Sequence, residues 1–203
     1  MRTPTAPRPK RQPTAGAKLT RERLIEAAFA VLDEQNTIEA VSLRAVARAA
    51  GVTAPALYGH FTDVTELHAA MRDRTFQDLI EQTDAVAEAA ANSLERLLAR
   101  CQAYVALGIK WPARRRLMFT PLEGASRRAG YDALDALVVA LEACVAEGFS
   151  TSTDPRADAA NLLAALHGVS LTRISMTEFP WPPLGQSVTT VTRRLACIDT
   201  MIR

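Results

Sequence analysis

Cysteine is scarce in this 203-residue sequence, and its three cysteines are far apart. Cys101, Cys144 and Cys197 are an odd number, and no two of them lie near each other along the chain. This spacing argues against a disulfide framework and against a CxxC metal site, both of which need cysteines at short intervals. We therefore expect a protein of the reducing cytoplasm.

The sequence also lacks a long apolar run and a strong net charge. No tract reaches the ~18 uninterrupted apolar residues of a membrane span, and the segment before Leu24 has no apolar stretch typical of a secretory signal. We expect no membrane association. The formal net charge is only +2, so charged partners must be inferred from local clusters, while 48% hydrophobic residues are enough for a substantial core.

Catalytic and metal-binding patterns are missing as well. His60, His68 and His167 are too scattered for a metal site, and no HExxH, GxSxG or P-loop pattern occurs. Each cysteine lies on an apolar helical stripe, where it ordinarily packs as a small hydrophobic residue. We predict no catalytic residue, no metal site and no cofactor, and a cysteine-based redox sensor stays open as an alternative.

Apolar residues recur at three- and four-residue spacing from Thr20 onward, which predicts an all-α fold. Thr20 can cap a first helix, which "NTIEAV" at residues 36–41 ends, and Ser42 can cap a short second helix. The predicted buried faces of these two helices are Leu24, Ile25, Ala28, Phe29 and Leu32, followed by Leu43, Val46, Ala47 and Ala50.

The stretch "GVTAPALYGHF" at residues 51–61 predicts a tight turn and a third helix. Gly51 can take the positive φ that often follows a helix C-terminus. Thr53 can cap the next helix, and Pro55 fits its first turn because the missing N–H has no intrahelical partner there. Leu57 and Phe61, four residues apart, would pack inward. Two short helices around such a turn form a helix-turn-helix.

Residues 20–71 resemble the DNA-binding region of the TetR repressor family. The motif GV(S/T)xxxLYxHF is specific to that family, and here it follows "SLRAVARAA" at the family's distance. The resemblance implies an all-α fold with an N-terminal three-helix helix-turn-helix domain and a C-terminal helical domain for effector binding and dimerisation. We expect a disordered basic arm at residues 1–18, the DNA-binding domain at 19–64 and the C-terminal domain at 65–203.

The resemblance also implies which residues contact double-stranded DNA. The residues that would face base edges are Thr53, Ala54, Pro55, Ala56 and Gly59. The residues that would hold phosphates are Tyr58 and His60, and those that would meet the backbone or the groove floor are Ser42 and Arg44. Phosphate contacts position a protein on DNA, whereas contacts to base edges specify the sequence.

Two features depart from the family pattern. Val64 stands where many members carry a lysine that can meet a phosphate, so one electrostatic contact is missing. The exposed recognition residues are almost all small, which leaves Arg44 as the only one able to make a bidentate contact to guanine. Specificity would then depend on methyl contacts, the N-terminal arm and DNA shape.

The N-terminal segment is strongly basic. Residues 1–18 contain five basic residues, four prolines and no acidic residue, and such a segment buries too little apolar surface to order itself. Two interpretations are open, a solvated tail or an arm that lies along phosphates or in a minor groove.

Helical spacing continues through the rest of the chain. Asp63 and Glu66 have the spacing of a capping box, which would open a long fourth helix. We predict a fifth helix over residues 93–109 and a sixth that begins at Pro112. The three arginines at 114–116 are expected to form a solvated face of that helix, with DNA contact as the alternative.

Three more helices are predicted near the C-terminus. Gly148 would end the seventh, and Asp154 with Pro155 would open the eighth. The ninth carries an apolar stripe suited to packing against another helix, made of Val188, Val191, Leu195, Ile198 and Ile202. We expect the eighth and ninth helices to pair with their symmetry mates as a four-helix bundle in a homodimer.

The sequence "LLAALHGVSL" in the eighth helix resembles the HG signature of the WHG-type C-terminal class of TetR relatives, and "YVALGIKWPARRRLMF" has that class's layout. His167 is open to two interpretations, a hydrogen-bonded core histidine or a ligand contact. Gly168 would permit close approach of a neighbour. The candidate ligand-binding residues, which would equally suit a plain core, are Tyr104, Trp111, Met118, Phe119 and His167.

The resemblance implies a transcriptional regulator, a repressor that a small-molecule effector releases from a palindromic operator. Since no charged partner for a ligand is evident among the candidate residues, we expect an apolar or weakly polar effector. Two alternatives are kept, a helical ligand-binding or interaction protein whose DNA binding has decayed and a cysteine-based redox-sensing regulator.

Overall fold

The computed structural model describes residues 20–121 and 128–198. The predicted basic arm at 1–18 and Ile202 of the ninth-helix stripe lie outside these residues. Within them the all-α prediction is confirmed. The helices are α1 Arg21–Gln35, α2 Leu43–Ala50, α3 Ala54–Leu57, α4 Val64–Glu88, α5 Ser93–Lys110, α6 Pro112–Phe119, α7 Arg128–Ala146, α8 Pro155–Ser175 and α9 Leu184–Leu195. None of the described helices is both long and apolar enough to span a bilayer.

Local capping chemistry sets most helix starts. Each of three N-cap residues accepts a hydrogen bond on its side-chain oxygen from the backbone N–H three residues later. The residues are Thr20, Ser42 and Asp63, and the distances are 3.3, 3.2 and 2.9 Å respectively. Gly51 closes α2 with a φ of 69°, in the left-handed region that glycine tolerates. Thr53 differs from its prediction, because it holds the N-cap position of α3 without a capping hydrogen bond from its side chain.

Two hydrophobic cores form along the chain. The N-terminal core joins α1–α3 to the start of α4, and α6 contributes Ala113 and Leu117 to it. Leu67 and Met71, which lie beyond residue 64 of the predicted domain boundary, are fully buried in this same core. The C-terminal core joins α5, α7, α8 and the region of α9. Because α6 belongs to the N-terminal core, the larger helical part is packed directly against the helix-turn-helix.

The prediction of a solvated arginine face on the sixth helix is wrong for Arg115, which is buried, and for Arg114, which is half-buried, whereas Arg116 is exposed as expected. Arg115 is only 7% exposed, Arg114 pairs with Asp33, and Arg116 donates to Asn36. The physical reason is that α6 packs against α1, α4 and α5, so that little of its surface is left for solvent.

The apolar stripe of α9 lies partly inside the protomer. Val188 is buried in the C-terminal core, and Val191 and Leu195 are half-buried against it. Ile198, predicted on the same helix, lies beyond the end of α9 and pairs with Ser150 in an isolated β-bridge, where it is buried in that core. The stripe therefore already has a partner within the chain. A Cβ placed on Gly168 would meet no atom within 4 Å, so close approach at this glycine is not found within the protomer.

Gly108 is the glycine that permits close helix packing, between α5 and α8. A Cβ at this position would lie 2.5 Å from Ser170 Oγ and 3.0 Å from Arg115 Cδ. Ser170 is fully buried, so it has little room to move aside. The packing of α5 against α8 therefore requires a residue without a side chain at position 108.

We predict that Gly108→Ala lowers the free energy of unfolding by about 1–3 kcal/mol, as overpacking usually does, although alanine has the higher helix propensity. Urea denaturation measures the change. Gly185→Ala is the matched control, since a Cβ there meets nothing within 4 Å. A Gly108→Ala protein as stable as the control would contradict the packing requirement.

Candidate nucleic-acid interface and ligand cavity

Buried side chains and a hydrogen bond in the turn fix the arrangement of the helix-turn-helix. Leu57 and Phe61 are at most 1% exposed, which confirms their predicted inward positions. The amide of Val52 donates to the carbonyl of Ala47 at 2.9 Å, and the Val52 side chain is half-buried against the N-terminal core. The Arg21 guanidinium lies 4.7 Å from the centre of the Phe61 ring. The direction in which α3 projects is therefore set by packing on α1 and α2.

Most of the residues that the resemblance assigns to DNA contact are accessible. The exposed ones are Ser42, Arg44, Thr53, Pro55, Tyr58 and Gly59, and the half-buried ones are Ala54, Ala56 and His60. Tyr58 is 61% exposed, which is unusual for so large a ring and suits a group that contacts a partner. Ala54 packs partly against the N-terminal core, so less of its methyl group is available to a base.

The surface around these residues is positively charged. Residues 41–61 contain two arginines, Arg44 and Arg48, and no acidic residue. Both arginines are exposed. A basic surface of this kind attracts phosphates and releases their counterions. Together with the exposed Tyr58 hydroxyl, it can hold a duplex backbone against the helix-turn-helix.

The three histidines lie in different parts of the structure. His68 Nε2 lies 2.8 Å from the carbonyl oxygen of Val41, which ties α4 to the start of α2. His60 belongs to the helix-turn-helix, whereas His167 lies in α8. Among the described residues no group of His, Cys, Asp and Glu is arranged for a metal ion.

The cysteines offer little support for redox chemistry. Burial raises the pKa of the Cys101 thiol to about 12 and also raises the pKa of Cys144. Cys197 follows α9 with a φ of 50° and is not on a helical stripe, contrary to the prediction. Burial and the nearby Asp158 carboxylate raise its pKa too. Since the thiolate is the reactive form, these shifts disfavour a redox sensor.

A small cavity of about 40 Å³ lies between α4, α5 and α6. Three of the five predicted ligand residues line it, Tyr104, Trp111 and Met118. A second cavity of about 50 Å³ shares Leu79 and Tyr104 with the first and extends towards α7 and α8. Both are far below the ~300–1,000 Å³ of typical ligand sites, so a ligand can enter only if the surrounding side chains move apart.

Phe119 and His167 stand at the edge of this site. Phe119 is 49% exposed, and its ring meets the His167 ring edge-on at 4.1 Å between centroids. His167 Nδ1 lies 3.5 Å from the Tyr104 hydroxyl, whose pKa burial raises to about 12. The predicted residues are thus brought together, with His167 in contact with the cavity wall rather than in it.

Sequence reasoning missed Arg115, which lines the cavity from α6. Its Nη1 lies 3.3 Å from His167 Nε2, and because a guanidinium only donates, that nitrogen accepts. His167 is therefore the neutral tautomer, and burial together with Arg115 keeps its pKa below the usual value. The sequence did hold a sign of this position. Arg115 lies four residues after Trp111 and three before Met118, a spacing that puts all three on one face of a helix.

The same helix holds the end of α1. Arg114 donates to both carboxylate oxygens of Asp33, at 3.1 and 2.5 Å, and its guanidinium lies 4.3 Å from the centre of the Phe29 ring. Arg116 donates to the carbonyl and side-chain oxygens of Asn36 at 2.6 and 2.9 Å. The wall of the cavity is thereby bonded to the first helix of the DNA-binding part.

Comparisons with known proteins match both parts of the chain. The family model described as bacterial regulatory proteins, tetR family, matches residues 24–71. The family model described as tetracyclin repressor-like, C-terminal domain, matches residues 97–183.

Solved structures share the whole fold. A protein of unknown function from Rhodococcus sp. RHA1 has 27% identity and a TM-score of 0.76, covering 91% of this chain and 97% of that one. A bacterial regulatory protein in the tetR family from Rhodococcus RHA1 has 17% identity and a TM-score of 0.63, with 88% and 98% covered. The transcriptional regulator FadR from Bacillus subtilis, solved in complex with stearoyl-CoA, has 15% identity and a TM-score of 0.66, with 87% and 98% covered. The last two identities indicate a common fold only.

We predict different effects for the phosphate-facing and base-facing side chains of the interface. Tyr58→Phe or His60→Ala should weaken binding to all DNA sequences alike, because the resemblance assigns these groups to phosphates, which carry no sequence information. Arg44→Ala should also relax the preference at one position per half-site, by about 1–3 kcal/mol. Binding to randomised duplexes measures both effects, and the exposed Arg156→Ala in α8 is the control. Intact affinity and preference in Arg44→Ala would contradict its assignment.

Proposed function

Because this chain belongs to the TetR family of bacterial regulatory proteins, we propose that it represses transcription from a palindromic operator, which it leaves when a small-molecule effector binds. Membership makes it a DNA-binding transcriptional regulator and not an enzyme. One observation carries the further proposal, namely a largely apolar cavity whose α6 wall is bonded to α1 of the DNA-binding part.

The proposed assembly is a homodimer with two-fold symmetry. Its two recognition helices would enter successive major grooves roughly 34–36 Å apart, which requires a palindromic site. The dimer contact is assigned to α8 and α9. Two features of α8 support it, the 45% exposure of Leu171 and the open space above Gly168, since a small residue beside an exposed leucine lets a second helix approach.

Operator and assembly are tested together. The purified protein is used to select fragments of its own genome, and the bound sites are footprinted while the complex is sized by sedimentation. We expect a symmetric protected sequence bound by two chains, and a reporter behind that site should be less active in the presence of the protein. Failure to select any fragment would favour the alternative of a ligand-binding protein without DNA binding.

Two helices connect the proposed effector site to the DNA-binding part. α4 runs without interruption from Val64, beside the helix-turn-helix, to the cavity residues Thr75 and Leu79. α6 lines the cavity and holds α1 through Arg114 and Arg116. An effector that fits only one arrangement of these helices would shift the dimer towards it. A coupling of ~1–3 kcal/mol weakens operator binding by about 5- to 150-fold.

We predict that Asp33→Asn weakens this coupling. The substitution removes the carboxylate charge that Arg114 binds, while Asp33 itself does not line the first cavity. A compound found by thermal-shift screening of metabolites and lipophilic molecules should still bind with unchanged affinity, but its effect on operator affinity should fall at least about threefold.

The matched control removes an ion pair of the same type elsewhere. Asp135→Asn breaks the contact of Asp135 with Arg156, at 2.8 Å between α7 and α8, and neither residue lines the two cavities or belongs to the helix-turn-helix. It should leave the coupling unchanged. Equal coupling in Asp33→Asn and in the control would rule out transmission through α6 to α1.

A further inference from the structure

Arg115 is a buried charge without a counter-ion in the described part of the chain. It is 7% exposed, its Nε has no hydrogen-bond partner, and none of the ion pairs formed by described residues includes it. Burial lowers its pKa, the Tyr104 hydroxyl opposes this effect, and the neighbouring Arg116 repels its charge. A guanidinium stays protonated in a protein, so burying it in this way is costly.

The other charges of the cavity wall are already paired. Asp78 accepts from Arg74 at 2.6 Å, and Arg114 is bound by Asp33. Arg115 therefore gives the first cavity one unbalanced positive charge. The only partner of its guanidinium among the described residues is the neutral His167 on Nη1, which leaves the edge formed by Nε and Nη2 for another acceptor.

That edge has the geometry for a carboxylate. Nε and Nη2 point in parallel and match the two oxygens of one carboxylate in a bidentate contact. A second buried polar group lies close by, because Ser170 Oγ and Arg115 Cδ flank the same point beside Gly108. The Ser170 hydroxyl is fully buried and also lacks a hydrogen-bond partner.

The rest of the surroundings is apolar. Trp111 and Met118 line the first cavity beside Arg115. Beyond the shared residues Leu79 and Tyr104, the second cavity is walled mainly by aliphatic side chains, among them Leu137 and Leu166. An aliphatic chain attached to the anion would be buried against these side chains, which is favourable because apolar surface is removed from water.

We infer that the effector is an amphipathic organic carboxylate, whose head pairs with Arg115 and whose apolar chain lies between α4, α5 and α6 and extends towards α7 and α8. This deepens the proposed function by naming the ligand class of the same site. It differs from the expectation of an apolar or weakly polar effector, which was made without Arg115 among the candidate ligand residues.

The test compares a carboxylate with its uncharged ester on the full chain without DNA. Decanoate and methyl decanoate are titrated by calorimetry into the wild type, into Arg115→Gln and into the surface control Arg156→Gln. We expect the wild type and the control to bind decanoate at least about tenfold more tightly than the ester, the scale of a charge-assisted hydrogen bond. Arg115→Gln should lose that preference and keep the ester affinity.

A second measurement separates a ligand-binding role from a structural one. Without ligand, Arg115→Gln should melt about 2–4 °C higher than the wild type, because an uncompensated buried charge is removed. Decanoate should raise the Tm of the wild type and leave that of Arg115→Gln unchanged. An arginine that serves packing alone would instead lower the Tm when replaced.

Two results would overturn the inference and leave the proposed function standing. One is equal binding of decanoate and its ester to both wild type and Arg115→Gln, which would mean a neutral effector site. The other is no binding of any straight-chain carboxylate from hexanoate to hexadecanoate by the wild type. Conversely, decanoate binding that depends on Arg115 but leaves operator affinity unchanged would uphold the site and overturn effector-controlled repression.

Discussion

The position of α6 between the two parts of the molecule is the constraint on which the candidate sites depend. Successive residues of a helix are rotated by about 100°, so Ala113 and Leu117 share one face, and Arg115 points the opposite way. The first face enters the N-terminal core, and the second lines the cavity. Arg114 and Arg116 flank the buried face on its two sides and bind Asp33 and Asn36 at the end of α1. A helix of eight residues thus leaves no wide solvent face.

What could be predicted from the sequence is governed by local physics. The caps at Thr20, Ser42 and Asp63 and the left-handed Gly51 need only their neighbours along the chain, and each is found as expected. The helix-turn-helix was recognisable for the same reason. The environments of Arg115 and Cys197 depend on helices far away in sequence, so periodicity alone could not assign them. The stripe on α9 shows a related ambiguity, since spacing reveals an apolar face but not whether its partner belongs to the same chain.

Arg115 is the most deeply buried of the described arginines. It is 7% exposed and lies beside a neutral histidine. Ser170 adds a buried hydroxyl without a partner, and the missing side chain of Gly108 leaves space beside both residues. Buried polar atoms without a partner also occur at Arg72, Asp73, Ser93 and Thr192, so the cavity region differs by the burial of a whole guanidinium. Such a conflict between local chemistry and burial reduces stability, and proteins retain it chiefly where function requires it.

The arrangement of α6 gives a physical reason for ligand binding to reach the DNA. An anion that bound Nε and Nη2 of Arg115, beside the contact of Nη1 with His167, would have to part the side chains of this small cavity. A rotation of α6 that made this room would also move Arg114 and Arg116, which are bonded to Asp33 and Asn36 at the end of α1. α1 carries the packing surface for α2, and the recognition residues follow it. The size of the response is limited by the difference in ligand affinity between the two arrangements, not by the affinity itself.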